Sequence, residues 1–455
     1  MATPESAAPH PNAGRRVDII GTRGYPSYYG GFETAVRRIA PYLADCGWSV
    51  TVYGRPGATR PEDPQLDARI RRVETRGVES KSLSTLSYGF TASDQSVRSR
   101  PDVALVMNVA NGFFLPRYFR HGIPTLVNVD GVEWDRDKWG RAAKTMFRRG
   151  AHLTARYATE LVCDAQEIRR RWQADFHRDG LFIPYGGDLP PCIPVEPGLR
   201  RRGYALLVAR FVPENTIAEF VEAAERVSER YDVVIVGSSG YGGEVEERVR
   251  RLNLGNPRVH WLGHVSDDHR LLGLWQNCGA YFHGHSVGGT NPALVQAMAC
   301  GAPTVARDTR YTREVLADAG VFVPANGTAI ANELTALLGN PREQCRLGAR
   351  AQERALAEYS WQGVCEKYQR ALADLADHSA AGRARLAAAP AMAAPVVRPA
   401  PAVIDLSART VTAAPAAQPA EAPATASALV APRDPADPSV PSPTRLSRRY
   451  PVRHR

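Results

Sequence analysis

The chain has 455 residues, 44% hydrophobic and 23% charged, with a formal net charge of +10. That is room for two or three domains of ordinary globular composition, which excludes a fibrous or wholly disordered chain. The basic balance points to anionic partners such as phosphorylated substrates or an anionic membrane surface. Residues 376–455, however, hold ten Arg against five acidic residues and so carry half of the excess, which argues against nucleic acid as a partner of the rest.

The first 15 residues are rich in Pro, Ala and Gly and lack an apolar signal-peptide core, so they are expected to be disordered. An apolar run at 17–20, a glycine loop at 24–31, a helical pattern at 32–46 and a second apolar run at 50–53 form a βαβ unit, which implies a parallel sheet with helices on its faces. Further strands are predicted at 102–108, 124–129, 160–163 and 181–184. Pro and Gly at 189–200 mark a linker.

The pattern then restarts. Strands are predicted at 204–209, 233–236, 258–262, 279–282 and 303–306, with helices at 216–229, 244–252, 267–276 and 292–300 and a final helical region at 328–376. The whole is α/β: two doubly wound parallel-sheet domains, at 16–195 and 196–376, facing across a cleft. Ligands of such sheets bind beyond the carboxyl ends of the strands, so the cleft is the expected site. Residues 377–455 are Ala-, Pro- and Arg-rich with few large apolar side chains, and are expected to be a disordered tail. No run approaches the roughly 20 apolar residues that cross a bilayer.

The seven cysteines, at 46, 163, 192, 278, 300, 345 and 365, are scattered, odd in number and without C-x-x-C spacing. Reduced thiols in a cytoplasmic protein are expected from them, with neither a disulfide framework nor a zinc site.

Four stretches carry chemistry. Gly30 and Gly31 directly precede a helix, where glycine lets backbone approach a ligand and free N–H groups favour a phosphate; the same pair also suits a plain turn. Arg210 follows the first strand of the second domain, placed to hold a diphosphate or to remain a surface cation. Gly288, Gly289, Thr290 and Asn291 form a loop before Pro292, which suits a first helical turn; Thr290 or Asn291 can cap that helix, and the loop amides suit an anion or a sugar hydroxyl. His283 and His285 lack obvious carboxylate or thiolate partners for a metal. Asp130 and Glu133 lie at the carboxyl end of the strand at 124–129, where a base or a ligand for an acceptor hydroxyl would sit. Beyond them Arg136, Lys138, Arg141, Lys144, Arg148 and Arg149, with Trp139 and Phe147, form a basic amphipathic segment that suits an anionic membrane surface or a solvated face.

Taken together, IIGTRGYPSYYGGFET, NVDGVEWDRDKWGR and HGHSVGGTNPALVQAMACGAP, with VARFVPEN and IPYGGD in the same order, resemble glycosyltransferase family 4, and within it the bacterial rhamnosyltransferase-type branch. The resemblance covers residues 16–376 and implies the GT-B fold. It further implies a nucleoside-diphosphate-sugar donor held by the second domain and a lipid-linked or saccharide acceptor held by the first. By the same resemblance Gly30, Gly31 and Arg210 would meet the donor diphosphate, the loop 288–291 the donor sugar, Gln296 the ribose, and Asp130 with Glu133 the acceptor, so that Asp130 and Arg210 are the expected catalytic residues. It implies transfer of a hexose or deoxyhexose such as rhamnose with retained configuration, in cell-envelope polysaccharide synthesis at the inner face of the plasma membrane, and no cofactor or metal. Gly288 and Gln296 stand where the general pattern has two glutamates, and Asn215 where it often has a Lys. An epimerase of sugar nucleotides on the same fold, or a non-catalytic nucleotide-sugar-binding scaffold, are the alternatives.

Overall fold

A computed structural model describes residues 12–28, 30–78, 84–136, 139–240 and 242–388. Residues 1–11 and 389–455, which hold most of the two segments expected to be disordered, lie outside the described residues, as do Asp137 and Lys138 of the basic segment.

Two parallel sheets account for the strands. The first is built from β1 (Arg16–Ile20), β2 (Ser49–Gly54), β3 (Arg71–Glu74), β4 (Val103–Met107), β5 (Thr125–Asn128), β6 (Glu160–Cys163) and β7 (Leu181–Phe182), in the order β3-β2-β1-β4-β5-β6-β7. The second is built from β8 (Tyr204–Val208), β9 (Asp232–Val236), β10 (Val259–Gly263), β11 (Ala280–His283), β12 (Thr304–Arg307) and β13 (Gly320–Val323), in the order β10-β9-β8-β11-β12-β13. Each sheet therefore reverses its winding once, between β1 and β4 and between β8 and β11, and the crevice opens at those two places.

Helices cover both faces of each sheet, so the central strands are continuous apolar runs rather than alternating ones. All five residues of β4 are buried, as are four of the five in β1 and in β8. Each Val, Leu or Ile so placed stabilises the fold by about 1.5–3 kcal/mol relative to exposure. The helix Gly31–Asp45 turns Ala35, Val36, Ile39, Ala40 and Leu43 inward, an i, i+4 stripe that packs on Val17 and Ile19.

The last helix, Trp361–Ala388, is longer than the sequence suggests and runs beyond 376. It returns to the first domain: Trp361, Val364, Cys365, Tyr368 and Leu372 share one core with Ile19, Leu105 and Leu126. Two segments thus cross between the domains, and they run side by side. The Gly187 N–H donates to the Tyr359 carbonyl at 2.8 Å, and Gly187 pairs with Ser360 in a parallel bridge. The close approach requires glycine, because a Cβ on Gly186 would stand 2.6 Å from the Trp361 ring.

Candidate functional site

The carboxyl ends of β1, β4, β5 and β6 face those of β8 and β11 across a cavity of about 440 Å³. On the first-domain side, Gly21 follows β1 at φ +87°, and a Cβ there would lie 2.1 Å from the Met107 carbonyl, so the turn closes only with glycine. Glu33 is buried in the first turn of the next helix. Its Oε1 accepts from the Arg23 N–H at 3.1 Å, which ties the turn to the helix start. Gly30 stands in the N-cap position with no side-chain cap, so the helix amides open on the cavity that Gly30 and Gly31 line.

Beyond β5, Asp130 adopts φ +58°, a left-handed conformation that costs a non-glycine residue about 1 kcal/mol and that clusters at functional sites. Asn128 braces it: its Oδ1 accepts from the Asp130 N–H at 2.9 Å, while its Nδ2 donates to the Tyr368 hydroxyl at 2.7 Å. Glu133 also lines the cavity, but its carboxylate is buried and engaged. Oε1 pairs with Arg136 Nε at 2.5 Å, and Oε2 accepts from Trp139 Nε1 at 2.7 Å. Glu133 therefore positions a cation and an indole within the wall, where the sequence suggested an acceptor ligand.

Arg136, read from sequence only as one of a basic run, reaches the other domain. A Cβ on Gly131 would stand 3.1 Å from its guanidinium and 3.0 Å from the Gly288 Cα, so the loops after β5 and β11 meet through glycines. On the second-domain side Arg210 is exposed to the cavity, and its guanidinium has no ion-pair partner among the described residues. The Asn215 amide donates to the Arg210 carbonyl at 2.8 Å, which fixes the loop that carries Arg210. Both cations act on His285. Burial, then Arg210 and Arg136, push its pKa down to about 3, so the ring is neutral. It stacks on His283 with centroids 4.5 Å apart. Tyr281 and His283 share a hydrogen bond of 3.1 Å through Nδ1, while the His283 Nε2 has no partner among the described residues. Burial holds that imidazole well below its ordinary pKa too. No group of three or more metal-ligating side chains converges among the described residues.

The loop 288–291 closes the floor. Gly288 has φ +113°, and Asn291 rather than Thr290 caps the helix Pro292–Ala299, accepting from the Ala293 N–H at 2.9 Å. The Thr290 hydroxyl instead donates to the Asp164 carbonyl, across the cleft. Gly289 and Thr290 line the cavity beside Asp164.

The fold thus brings together Gly30, Gly31, Asp130, Glu133, Arg210, Gly288, Gly289, Thr290 and Asn291 around one cavity. Gln296, expected on a ribose, is not among the residues that line it. Its amide turns to the interdomain segment, accepting from the Asp188 N–H at 3.1 Å and donating to the Asp188 carbonyl at 2.7 Å. Three side chains that line the cavity were not assigned to it from sequence: Arg136, Asp164 and the neutral His285. Asp164 meets the criterion that selected Asp130, a carboxylate directly after a predicted strand.

Known proteins resemble both halves. The family described as glycosyl transferase 4-like domain matches residues 30–186, and the family glycosyl transferases group 1 matches residues 197–354. A phosphatidyl-myo-inositol mannosyltransferase of Mycobacterium leprae is 31% identical over 215 residues, 45% of this chain and 56% of that protein. An MMP alpha-(1->4)-mannosyltransferase of Mycolicibacterium hassiacum is 30% identical over 418 residues, 79% of this chain and 99% of that protein. The chain thus spans about half the length of the phosphatidyl-myo-inositol mannosyltransferases it matches and nearly all of the other. Among solved structures, sucrose-phosphate synthase from Thermosynechococcus elongatus superposes with a TM-score of 0.64 at 18% identity, over 82% of this chain and 100% of that one. Anabaena HepE in complex with UDP-glucose superposes with a TM-score of 0.63 at 16% identity, over 79% and 99%. These likenesses show the fold, the GT-B pairing of two Rossmann-like domains.

Proposed function

The chain belongs to the group 1 glycosyl transferases, and from that premise we propose that it moves a sugar from a nucleoside-diphosphate sugar to a lipid-linked or saccharide acceptor in envelope polysaccharide synthesis. The observation that carries this reading is the cavity itself. The cation Arg210, with Arg136 and the neutral His285, lines one cavity with two helix starts that carry Gly30 and Asn291, at the places where both sheets reverse. Fixed positive groups in a partly dry cleft favour a diphosphate, and favour it more as charge develops on it during departure. Asp130, braced by Asn128, is assigned to the acceptor hydroxyl.

The sugar is a hexose or a 6-deoxyhexose. The relatives named above are mannosyltransferases, and the motifs resemble the rhamnosyltransferase-type branch, so mannose and rhamnose are the first two candidates; retention of configuration is the expected outcome. The residues assigned here need no metal. Neither the epimerase nor the scaffold reading draws support from the relatives. No helix among the described residues is long and apolar enough to cross a membrane, and the basic helix after β5 is proposed to meet anionic lipid on the inner face of the plasma membrane.

The test is a donor screen by thermal shift with UDP-, GDP-, dTDP- and ADP-sugars. A donor present at 100 times its dissociation constant stabilises the fold by about 2.7 kcal/mol, and the melting temperature rises accordingly. Arg210→Ala should lower turnover at least a hundredfold, since removing one such donor of charge stabilisation costs about 2.7–4 kcal/mol. Unchanged turnover would remove Arg210 from the reaction.

A further inference from the structure

Asp164 has no part in the reading above. It follows β6 in the first domain, yet its carboxyl meets the second. The Thr290 hydroxyl donates to its backbone carbonyl, and a Cβ on Gly289 would stand 1.9 Å from its Oδ1. The residue is 2% exposed, it lines the cavity, and its Oδ1 has no hydrogen-bond partner among the described residues. Leaving a buried polar atom without a partner costs about 1–3 kcal/mol, more if the group is charged. Burial, then a second carboxylate, Asp130, and the neighbouring Glu314, hold this carboxyl well above its usual range, opposed by its own backbone N–H and by Arg136.

The surroundings select the ligand. Asp164 and Asp130 both act on Arg136 and offset its charge, whereas an anion is drawn to Arg210 and repelled from a pair of carboxylates, so Asp164 does not meet the diphosphate. A hydroxyl suits it, because a carboxyl can accept from or donate to one, and a hydroxyl adds no charge to a buried site. The carboxyl lies against the loop 288–291, which belongs to the domain that carries Arg210, and Asp130 occupies the acceptor side.

We propose that Asp164 binds a hydroxyl of the donor's sugar, so that the first domain reads the sugar while the second holds the diphosphate. This rests on the assignment of the cavity to a nucleoside-diphosphate sugar. It also gives a reason for glycine at 289, since any larger residue would fill the space the carboxyl occupies.

The experiment is titration calorimetry without acceptor, using matched pairs: UDP and UDP-glucose, GDP and GDP-mannose, dTDP and dTDP-rhamnose. For the pair that binds the natural chain, Asp164→Ala should keep the affinity for the diphosphate within about twofold and weaken the sugar nucleotide at least tenfold. Asp164→Asn, which keeps the shape and one acceptor, should fall between. Gly289→Ala, which displaces the carboxyl without removing it, should reproduce the selective loss and decides the matter if the Asp164 variants do not fold. Equal loss for diphosphate and sugar nucleotide, or no loss for either, overturns the assignment; the second result would return the hydroxyl to the acceptor. If the natural chain binds no diphosphate of the panel, the reading of the cavity fails first, and this assignment with it.

Discussion

His283 and His285 are two neutral rings stacked inside the cleft, the second of them near Arg210 and Arg136. Their consequence is a pH dependence with a defined sign. Both pKa values are depressed on folding, His285 to about 3, so between the ordinary value of 6.5 and that point the unfolded chain binds protons that the folded chain does not. Stability is therefore present above about pH 6.5 and is lost as the pH falls through the window. In His285→Gln the slope of unfolding free energy against pH between 6.5 and 4 should be shallower than in the natural chain, by up to one proton. An unchanged slope would show that the ring is not held neutral. Asp164 acts in the opposite sense. Its raised pKa means the folded chain binds the extra proton, so its contribution falls as the pH rises above the usual carboxylate range. At this scale sequence reads backbone roles better than side-chain direction. Gly30, Gly31 and Asn291 are legible because turn and cap chemistry is local, whereas Gln296 points to Asp188, 108 residues away, and Asp164 gains its meaning from Gly289, 125 residues on.

Among the elements, the helix Gln166–Phe176 begins after Ala165, which has no side chain able to cap it. The cap comes from the other domain. Glu314 accepts from the N–H groups of Gln166 at 2.5 Å and Glu167 at 2.9 Å, and Arg310 pairs with Glu167 at 3.0 Å. A carboxylate on two free amides at a helix start contributes about 1 kcal/mol. That contribution exists only while the domains are together. Glu314→Ala should therefore weaken donor binding by about fivefold, although Glu314 does not line the cavity, and should speed hydrogen exchange at the amides of 166 and 167. Unchanged exchange would show that the cap is not in force. The strands and helices that sequence located share one property: burial on both sides of a strand, or a regular apolar stripe on a helix. β3, Arg-Arg-Val-Glu, is an edge strand with little buried surface and gave no such signal. The helix Ser84–Ser99 buries Gly89, Ala92, Ser93, Ser96 and Val97, a set in which Val97 alone is large and apolar and which marks no periodic face, although the helix lines the cavity through Ser84, Thr85 and Tyr88. Helix Arg310–Leu316 and β13 are short and were likewise not anticipated.

For the molecule as a whole, the proposed membrane face belongs to the first domain. The helix Arg141–Tyr157 contains no acidic residue and exposes Arg141, Arg148, Arg149 and Arg156, and beside it Phe119 is 66% exposed with its ring edge-on to Tyr157 at 5.7 Å. Each such cation near an anionic surface contributes about 1 kcal/mol, screened by salt. Changing Arg148 and Arg149 together to Glu should reduce co-sedimentation with phosphatidylserine-containing vesicles at least tenfold, with no change in melting temperature; equal binding would reject this face. The side-by-side crossings at Gly187 and Ser360 give that mooring a mechanical meaning. Two adjacent straps leave a rigid body free to swing about one line and hinder it from twisting or pulling away. Were the first domain held to a surface as proposed, the second would be a door on that hinge: it would open to the aqueous side to load a water-borne donor and swing back along the same arc to an acceptor still seated in the bilayer.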